Sequence, residues 1–576
     1  MSVRTIDVVN AGEALMTVLA DRGIDYIFGN AGTDFPPLIE ALSKARLGEA
    51  KAPIPVTVPH ENLAVAMAHG VYLATGRPQA VMLHVNVGTA NALCALFNAA
   101  RDNIPILLAA GRTPWMEDGA MGARSVFIHW AQEMFDQAGM LREIVKWDYE
   151  LRDPAQVEPA VDRALTLAMS EPRGPVYLTL PREVLAKGGG AFTYHSPARR
   201  HPSAPPAADP IALARAAEWL ATAKRPLIIT ASFGRERDDV AALTTLAERC
   251  ALPVVGYRPR YMFLATDHPM HLGFEPGPYL ADADVIVVLE CDVPWIPKLH
   301  RVNPAAKVIH LGVDPLFQRY PMRGFPADLV ISGAPGAILR GLAQALGNGG
   351  NVAERRDWIA LRHAERMATR EAARRRAASD GRLSAAAVAV ALDSVLRPDD
   401  IVVSETNLPV GLMNLIRPGV YFGTSPAGGL GWGLGCALGL KLGAPERRIT
   451  AVVGDGSYMF GNPTPAHFVA RAMGLPTLTI ILNNRMWAAV RRATLGLYPD
   501  GAAARVNRAP LTYLEPSPDY ERIVEASGGY GEKVAQADEL RAALLRGLDA
   551  IERGQPAVLN VLTEYSDDEA RTDSRR

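Results

Sequence analysis

Residues 449–486 hold two short apolar segments, each of which runs into a polar turn. The β-branched segment 449–453 (ITAVV) predicts a buried parallel strand that breaks at residues 454–457 (GDGS). A helical segment and a second apolar strand follow, and that strand leads to Asn484. Ligands of open parallel sheets bind beyond the carboxyl ends of the strands, so we expect Asp455 and Asn484 to meet at one edge of a sheet. The stretch predicts an α/β fold with a ligand site at that edge.

The side chains at this edge suit a divalent cation bound to a diphosphate. Magnesium prefers oxygen ligands, one or two of them carboxylates and the rest phosphate oxygens and water. We predict Asp455, Asn484 and the Met486 carbonyl as metal ligands. Gly456 permits close approach of the backbone, and Ser457 is placed to donate to a phosphate oxygen. The alternative is an ordinary strand-to-helix turn in which Asp455 caps the helix.

Length and composition narrow the class of protein. A chain of 576 residues is too long for one core, so roughly two to four domains are expected. A formal net charge of -1 gives no electrostatic indication of nucleic-acid binding. The four cysteines are isolated, which suits a reducing compartment, and no signal peptide or membrane-spanning run is evident. We expect a protein of the cytoplasm with no membrane partner.

The pattern of elements predicts three doubly wound parallel-sheet domains of the α/β class. Residues 1–185, 205–346 and 383–565 each alternate helical and strand patterns. A Gly-, Pro- and Arg-rich linker is predicted over 181–210, and the Gly-rich residues 347–350 end the second domain.

Two further segments have a helical pattern. The N-terminal residues 1–23 are predicted to form an amphipathic helix. Residues 351–379 predict an exposed helix with i,i+4 charge pairs. Its Arg374-Arg375-Arg376 cluster is expected to lie on a solvated face, with an anionic partner as the alternative.

The Gly454-Asp455-Gly456 turn, followed about 26 residues later by Asn483-Asn484, resembles the diphosphate motif of thiamine-diphosphate (ThDP) enzymes. With three α/β units, nearly the whole chain resembles the pyruvate decarboxylase and acetolactate synthase family. The resemblance implies a pyrimidine-binding domain, a middle domain and a diphosphate-binding domain. It also implies that the cofactors are ThDP and Mg²⁺, bound between the first domain of one subunit and the third of another in a homodimer or homotetramer.

The resemblance implies one glutamate in the first domain that activates the cofactor's aminopyrimidine. Glu61 follows a short strand and precedes a helix of small residues, and we predict it as this activator. The alternative is a glutamate favoured by the helix dipole. His60 beside it is expected to be structural.

The third domain is expected to supply the remaining cofactor contacts. In the glycine-rich segment 427–433, Leu430 matches the family's apolar wedge under the cofactor and Gly428 the carbonyl that holds its amino group. The alternative is a helix-packing segment. Ser404 and Thr406 are predicted as hydroxyl donors near the diphosphate, or alternatively as part of a polar loop or helix cap.

The substrate-pocket residues resemble benzoylformate decarboxylases most. His84 has the spacing from Glu61 at which those enzymes place a proton-relay histidine, and Thr33 replaces a serine that binds the substrate carboxylate. Trp487 stands at an aromatic position near the cofactor. A histidine can act as acid or base near neutral pH, but at a strand end it can also satisfy a backbone carbonyl.

Other features depart from that subfamily. Residues 129–133 (HWAQE) resemble the Gln-Glu of acetolactate synthases, where the glutamine lies near the cofactor. His300 and His310 are candidates, by region only, for the middle-domain histidine of benzoylformate decarboxylases. Many acetolactate synthases bind FAD in the middle domain; it is possible here, but no residue pattern indicates it.

The expected activity is ThDP- and Mg²⁺-dependent decarboxylation of a small 2-oxo acid through a carbanion and an enamine, with aldehyde release and His84 as proton relay. The alternative is an acetolactate synthase-like carboligase, which joins the enamine to a second carbonyl compound. A catalytically silent binding protein of the same fold is a third possibility, and the joint presence of Glu61, Leu430, Asp455 and Asn484 argues against it.

Overall fold

The computed structural model of the chain describes residues 2–347, 352–506 and 508–565. Within them lie three parallel β-sheets of six, five and six strands, each packed against helices, and a small antiparallel sheet of two strands. The predicted α/β class with three parallel-sheet domains is confirmed. The exact domain bounds stay predictions. No helix in the described ranges is long and apolar enough to cross a bilayer.

The first sheet has the strand order β3-β2-β4-β5-β7-β6, and all its strand pairs are parallel. Its central strands are buried along nearly their whole length, as expected for a parallel sheet covered on both faces. The strands are β2 (Tyr26–Gly29), β3 (Ile54–Thr57), β4 (Gln79–Leu83), β5 (Ile106–Arg112), β6 (Asp148–Glu150) and β7 (Val176–Pro181). The helices are α1 (Ala11–Asp21), α2 (Pro36–Arg46), α3 (Glu61–Thr75), α4 (Val85–Asn91), α5 (Leu93–Arg101), α6 (Ile128–Ala131), α7 (Val157–Met169) and α8 (Arg182–Ala186).

The N-terminus differs from the prediction. Residues Ser2–Val8 form strand β1, which pairs antiparallel with β8 (Gly190–Ser196) inside the predicted linker. The helix begins only at Ala11, because the Asn10 side chain accepts a hydrogen bond from the Glu13 N–H and caps it. The helical prediction was therefore wrong for the first residues, and the linker prediction was wrong for 190–196. Neither strand is stable alone, and each is defined by the other.

The middle sheet has the order β10-β9-β11-β12-β13 and is parallel throughout. Its strands are β9 (Pro226–Thr230), β10 (Val254–Gly256), β11 (Val285–Leu289), β12 (Lys307–Gly312) and β13 (Leu329–Ser332). The helices are α9 (Pro210–Thr222), α10 (Asp239–Cys250), α11 (Gly277–Leu280) and α12 (Pro335–Leu346). Of the Gly-rich segment predicted to end this domain, residues 348–350 lie outside the described residues.

The third sheet has the order β15-β14-β16-β17-β19-β18, again with parallel pairs. Its strands are β14 (Ile401–Glu405), β15 (Tyr421–Gly423), β16 (Ile449–Gly454), β17 (Leu478–Asn483), β18 (Tyr530–Val534) and β19 (Ala557–Leu562). The helices are α14 (Ala385–Asp393), α15 (Trp432–Gly443), α16 (Asp455–Phe460), α17 (Pro463–Ala472), α18 (Ala488–Leu497), α19 (Ala502–Arg505), α20 (Glu521–Glu525) and α21 (Leu540–Glu552).

Helix α13 (Val352–Ser379) joins the second and third domains and is less solvated than its composition predicts. Arg355 is buried and donates to backbone carbonyls, including that of Ala223. Arg374 of the predicted solvated cluster instead pairs with Asp393 at 2.9 Å. The prediction of a fully exposed face was therefore wrong on one side of the helix, because arginines satisfy carbonyl groups there that would otherwise be unpaired.

Helices α3 and α15 pack together and join the first domain to the third. Gly70 and Gly439 face each other's helix backbones, so a Cβ at either position would overlap a carbonyl oxygen. Trp432 donates to Nδ1 of His69 at 3.1 Å, and complete burial lowers the pKa of His69 to about 3. This contact brings the N-terminal ends of the two helices, and the glycine-rich segment before α15, into one region.

Candidate active site

Asp455 and Asn484 lie together at the carboxyl edge of the third sheet. Strands β16 and β17 are parallel neighbours, so their carboxyl ends are adjacent. Asp455 is buried, and its carboxylate accepts hydrogen bonds from the N–H groups of Gly456 at 2.9 Å and Arg485 at 2.7 Å. The Asn484 side-chain oxygen accepts from the Met486 N–H at 3.0 Å. Two of the predicted metal ligands, Asn484 and Met486, therefore belong to one turn, and this turn lies beside the carboxylate of the third, Asp455.

These residues border a cavity of about 860 Å³. Most of the predicted cofactor contacts line it, and Ser404 does not: its buried hydroxyl donates to the Thr406 carbonyl at 3.2 Å. The Ser457 hydroxyl lines the cavity and donates to the Glu405 carbonyl at 3.4 Å. The predicted residues in the wall are Thr406, Gly428, Leu430, Asp455, Gly456, Ser457, Asn484, Met486 and Trp487.

The donor set at Asp455 fits magnesium bound together with a diphosphate. Burial raises the pKa of Asp455 to about 6. A bound cation would oppose this effect, because a nearby positive charge favours the ionised carboxylate. In the described part of the chain, no group of three or more His, Cys, Asp or Glu side chains could hold a metal by itself. A cation here would have to take its other ligands from carbonyl, amide, phosphate or water oxygens, which is what magnesium does.

Glu405 is a buried carboxylate that the sequence reasoning did not single out. It ends strand β14 and accepts hydrogen bonds from the backbone N–H groups of Gly431 at 2.6 Å and Gly433 at 2.5 Å. Burial raises its pKa to about 7. It thereby fixes the segment that carries Leu430. An acidic residue at a strand end, together with two glycine N–H groups to satisfy, was the available signal.

Glu61 begins helix α3 and is held by two asparagines. Its Oε1 accepts from Asn30 at 2.7 Å, and its Oε2 accepts from Asn91 at 2.5 Å. The side chain is buried, but it is not part of the wall of the cavity at Asp455. The predicted activator and the predicted diphosphate site therefore form two half-sites within one chain.

His84 belongs to the half-site of Glu61 and is bound to a buried carboxylate that the sequence reasoning also missed. Its Nδ1 lies 2.5 Å from Asp34 Oδ1, and this hydrogen bond raises the pKa of His84, which burial alone would lower. The imidazole packs so closely on Gly32 that a Cβ there would overlap the ring. Val85, which follows His84, has a φ of 32°, a strained value for a β-branched residue.

Gln132 lies on the other side of the His84 ring. Its Nε2 is 3.4 Å from His84 Nε2, and its buried Oε1 has no hydrogen-bond partner among the described residues. Rotation of the amide would let Oε1 accept a hydrogen bond from His84 Nε2–H when that nitrogen is protonated. Gln132 therefore suits both protonation states of His84.

Thr33 contacts a second histidine of the first domain. Its hydroxyl lies 3.3 Å from His129 Nε2, while His129 Nδ1 accepts from the Ser125 N–H at 3.1 Å. Nε2 of the neutral ring therefore carries the proton and donates to Thr33. Burial, and then the charges of Arg182 and Arg124, lower the pKa of His129, so it stays neutral.

The other three histidines named in the sequence analysis lie in different parts of the structure. His60 lies between Asn91 at 3.5 Å and Asn462 at 3.4 Å, and burial lowers its pKa, which agrees with a structural role. His310 is buried in β12, and burial lowers its pKa to about 4, so it lies in the core of the middle domain and not at either half-site. His300 lines a second cavity next to the first.

Comparison with known proteins shows to which family the chain belongs. Family models match all three domains: the N-terminal binding domain of thiamine pyrophosphate enzymes over 9–140, the central domain over 213–342 and the C-terminal binding domain over 409–561. The chain belongs to the thiamine pyrophosphate enzymes. Membership supports thiamine diphosphate as the cofactor of this chain.

Relatives of this thiamine pyrophosphate enzyme include both decarboxylases and acetolactate synthases. It is 28% identical to benzoylformate decarboxylase of Pseudomonas aeruginosa, over 95% of this chain and 97% of the relative. It is 25% identical to the large subunit of acetolactate synthase isozyme 3 of Escherichia coli, over 98% and 96% of the two chains. Among solved structures, 4-hydroxybenzoylformate decarboxylase of Rhodococcus jostii has a TM-score of 0.76 at 22% identity, with 97% of this chain and 100% of that chain covered. The last likeness concerns the fold alone.

The strand order of the middle sheet of this thiamine pyrophosphate enzyme reverses between β9 and β11. Ligands of doubly wound sheets bind at such a point. Near it, buried Arg260 pairs with Asp292 at 2.9 Å. No step of the chemistry is assigned to FAD.

Proposed function

We propose that the protein decarboxylates a small 2-oxo acid with thiamine diphosphate and Mg²⁺ as cofactors. The observation that carries the proposal is the pairing of His84 with buried Asp34 in the half-site of Glu61. A decarboxylase needs a group that delivers a proton after CO2 has left, and a histidine whose pKa is raised by a carboxylate suits that role.

The third domain would hold the cofactor. Asp455, Asn484 and the Met486 carbonyl would bind Mg²⁺, while Thr406 and Ser457 would donate to the diphosphate. When bound, thiamine diphosphate would supply a nucleophilic carbon and an electron sink for the electron pair released with CO2. Leu430 would support the bent shape of the cofactor, and the Gly428 carbonyl would accept from its amino group.

The first domain would supply the proton-transfer groups. Glu61 would hold a proton at the ring nitrogen of the aminopyrimidine, with Asn30 and Asn91 fixing its two oxygens. His84 would move a proton at Nε2, because Nδ1 is committed to Asp34. Thr33 would bind the substrate carboxylate, with its hydroxyl oriented by His129.

A homodimer or homotetramer that joins the two half-sites between subunits agrees with the exposed apolar side chains near each of them. Phe127 and Phe135 are fully or nearly fully exposed in the first domain, in the segment that also holds His129 and Gln132. In the third domain, Phe460 and Leu511 are exposed close to the turns of Asp455 and Met486. Exposed apolar groups of this size favour a protein–protein contact.

Carboligation of the acetolactate synthase type is the second candidate, and Gln132 favours it. Its Oε1, which has no hydrogen-bond partner in the described part of the chain, leaves a polar group near His84 available for a second carbonyl substrate. The two activities differ in whether the pocket delivers a proton or admits an acceptor molecule.

Product analysis by NMR would distinguish the two activities. Purified protein with thiamine diphosphate and Mg²⁺ receives aliphatic and aromatic 2-oxo acids, with the Glu61→Gln variant as control. We expect an aldehyde as the main product, formed only when Glu61 is present. An acyloin as the main product would move the protein to the carboligases, and full activity of Glu61→Gln would overturn the assignment of Glu61.

A further inference from the structure

A second cavity, of about 1230 Å³, lies beside the cofactor cavity and between the middle and third domains. The two cavities share Asn407, Ala489 and Arg492 in their walls, so they are direct neighbours. Arg258 follows strand β10 at the carboxyl edge of the middle sheet, and Arg301, on the connection between β11 and β12, lines the same cavity. We call this space the arginine annexe.

Arg258 and Arg301 differ from the other arginines at this edge. Arg260 forms an ion pair with Asp292 at 2.9 Å, and Arg235 forms one with Glu171 at 2.7 Å. Neither Arg258 nor Arg301 has an ion-pair partner anywhere in the described ranges. Arg258 also has a φ of 51°, a backbone conformation that costs free energy and occurs often at ligand sites.

The other charges of the annexe do not cancel these two arginines. The one acidic residue in its wall is Glu275, which is already paired with His300 Nε2 at 2.9 Å. On α18, the third-domain wall includes the small residues Ala489, Ala493 and Gly496. The annexe is therefore cationic and has room for a side chain of the substrate.

We propose that the arginine annexe binds a carboxylate, sulfonate or phosphate group at the far end of the substrate. The substrate would then be a 2-oxo acid with a second anionic group, its reacting ketone in the cofactor cavity and its tail in the annexe. Guanidinium groups bind such anions through paired, charge-assisted hydrogen bonds. This inference rests on the proposed function and adds to it the chemical class of the substrate.

Steady-state kinetics of the holoenzyme with substrates of matched length would test the annexe. The substrates are 2-oxoadipate, with a carboxylate tail, 2-oxoheptanoate, with an apolar tail, and 2-oxo-5-guanidinopentanoate, with a cationic tail. We expect kcat/KM to be highest for 2-oxoadipate. Arg258→Gln and Arg301→Gln should each lower it about tenfold, chiefly through KM, and leave 2-oxoheptanoate unchanged. Arg376→Gln, which removes an exposed arginine of α13, is the matched control.

Equal or better turnover of 2-oxoheptanoate, or no effect of either variant on 2-oxoadipate, would contradict the proposed anion site in the annexe. Neither result would contradict the proposed decarboxylase activity. If no 2-oxo acid is turned over at all, the proposed function has failed instead. The annexe is then tested by calorimetric titration of the holoenzyme with glutarate and with pentanoate. Tighter binding of glutarate that Arg258→Gln abolishes supports the site, and equal binding of the two overturns it.

Discussion

Asn98 of the first domain and Gly429 of the third hold each other by two hydrogen bonds. The Asn98 amide donates to the Gly429 carbonyl at 2.8 Å, and its oxygen accepts from the Gly429 N–H at 3.0 Å. Asn98 is fully buried, and a Cβ at Gly429 would crowd it. Gly429 stands between Gly428 and Leu430, the two predicted contacts of the aminopyrimidine. A residue of α5 therefore positions the segment that is predicted to provide the wedge for the cofactor.

Replacement of Asn98 by alanine should loosen that wedge without removing any group that touches the cofactor. Two hydrogen bonds of about 1 kcal/mol each are lost, so affinity for thiamine diphosphate should fall about tenfold or more. Calorimetry measures the affinity, and near-ultraviolet circular dichroism reports the conformation of the bound cofactor. Asn98→Asp keeps the acceptor but turns a buried carboxylate oxygen towards the Gly429 carbonyl, so it should lose at least as much affinity. An unchanged affinity in Asn98→Ala would contradict the positioning role.

Glu405→Gln should destabilise the fold, because a carboxylate that accepts two short backbone hydrogen bonds is replaced by a group with one acceptor oxygen. We expect the free energy of unfolding to fall by about 1–3 kcal/mol. Thermal and denaturant unfolding of the apoprotein measure the loss, and exposed Glu446→Gln serves as the control. Equal stability of the two variants would show that Glu405 does not anchor the segment of Leu430.

Asp34→Asn should shift the titration of His84 to lower pH. The hydrogen bond to Asp34 raises the pKa of His84, so its removal lowers that pKa and moves the matching limb of the pH–rate profile downward. Because the pKa in the folded state exceeds its unfolded value, the pair stabilises the fold below the unfolded pKa. This stabilisation is lost as the pH rises through the folded value. We expect kcat to fall about 10- to 100-fold. An identical pH profile, or an unshifted His84 signal by NMR, would exclude this coupling.

Asp455→Ala should abolish Mg²⁺-dependent binding of thiamine diphosphate, since it removes the only charged ligand that we predict for the metal. Calorimetric titration with the cofactor, with and without Mg²⁺, measures this loss. Asp519→Ala, an exposed aspartate of the same domain, should bind as the unmodified protein does. Undiminished affinity in Asp455→Ala would disprove the predicted metal site.

Mixing two inactive variants tests whether an active site is shared between subunits. If Glu61 of one subunit serves the Asp455 site of another, a heterodimer of Glu61→Gln and Asp455→Ala contains one intact site. Co-refolding equal amounts should then restore about a quarter of the unmodified activity. Each homodimer alone stays inactive and is the control. If every active site is built from a single chain, no activity returns.

The sequence alone determined the class of fold and the meeting of Asp455 and Asn484 at one edge of a sheet. Strands over 449–453 and 478–482 were predicted within one or two residues, because short β-branched runs bounded by glycine and asparagine have few alternative structures. The meeting of Asp455 and Asn484 followed from the rule that parallel strands end at a common edge. These are local patterns combined with one general rule of topology.

Only the tertiary structure decided which distant residues share a contact. Asp34 lies 50 residues from its partner His84, and Asn98 lies 331 residues from Gly429. The same holds for β1, which becomes a strand only because β8, far along the chain, supplies its hydrogen bonds. Such contacts depend on how sheets and helices pack, and local propensity carries no information about the partner. The sequence therefore predicted the chemistry of the site, and packing decided which carboxylates and amides position the predicted residues.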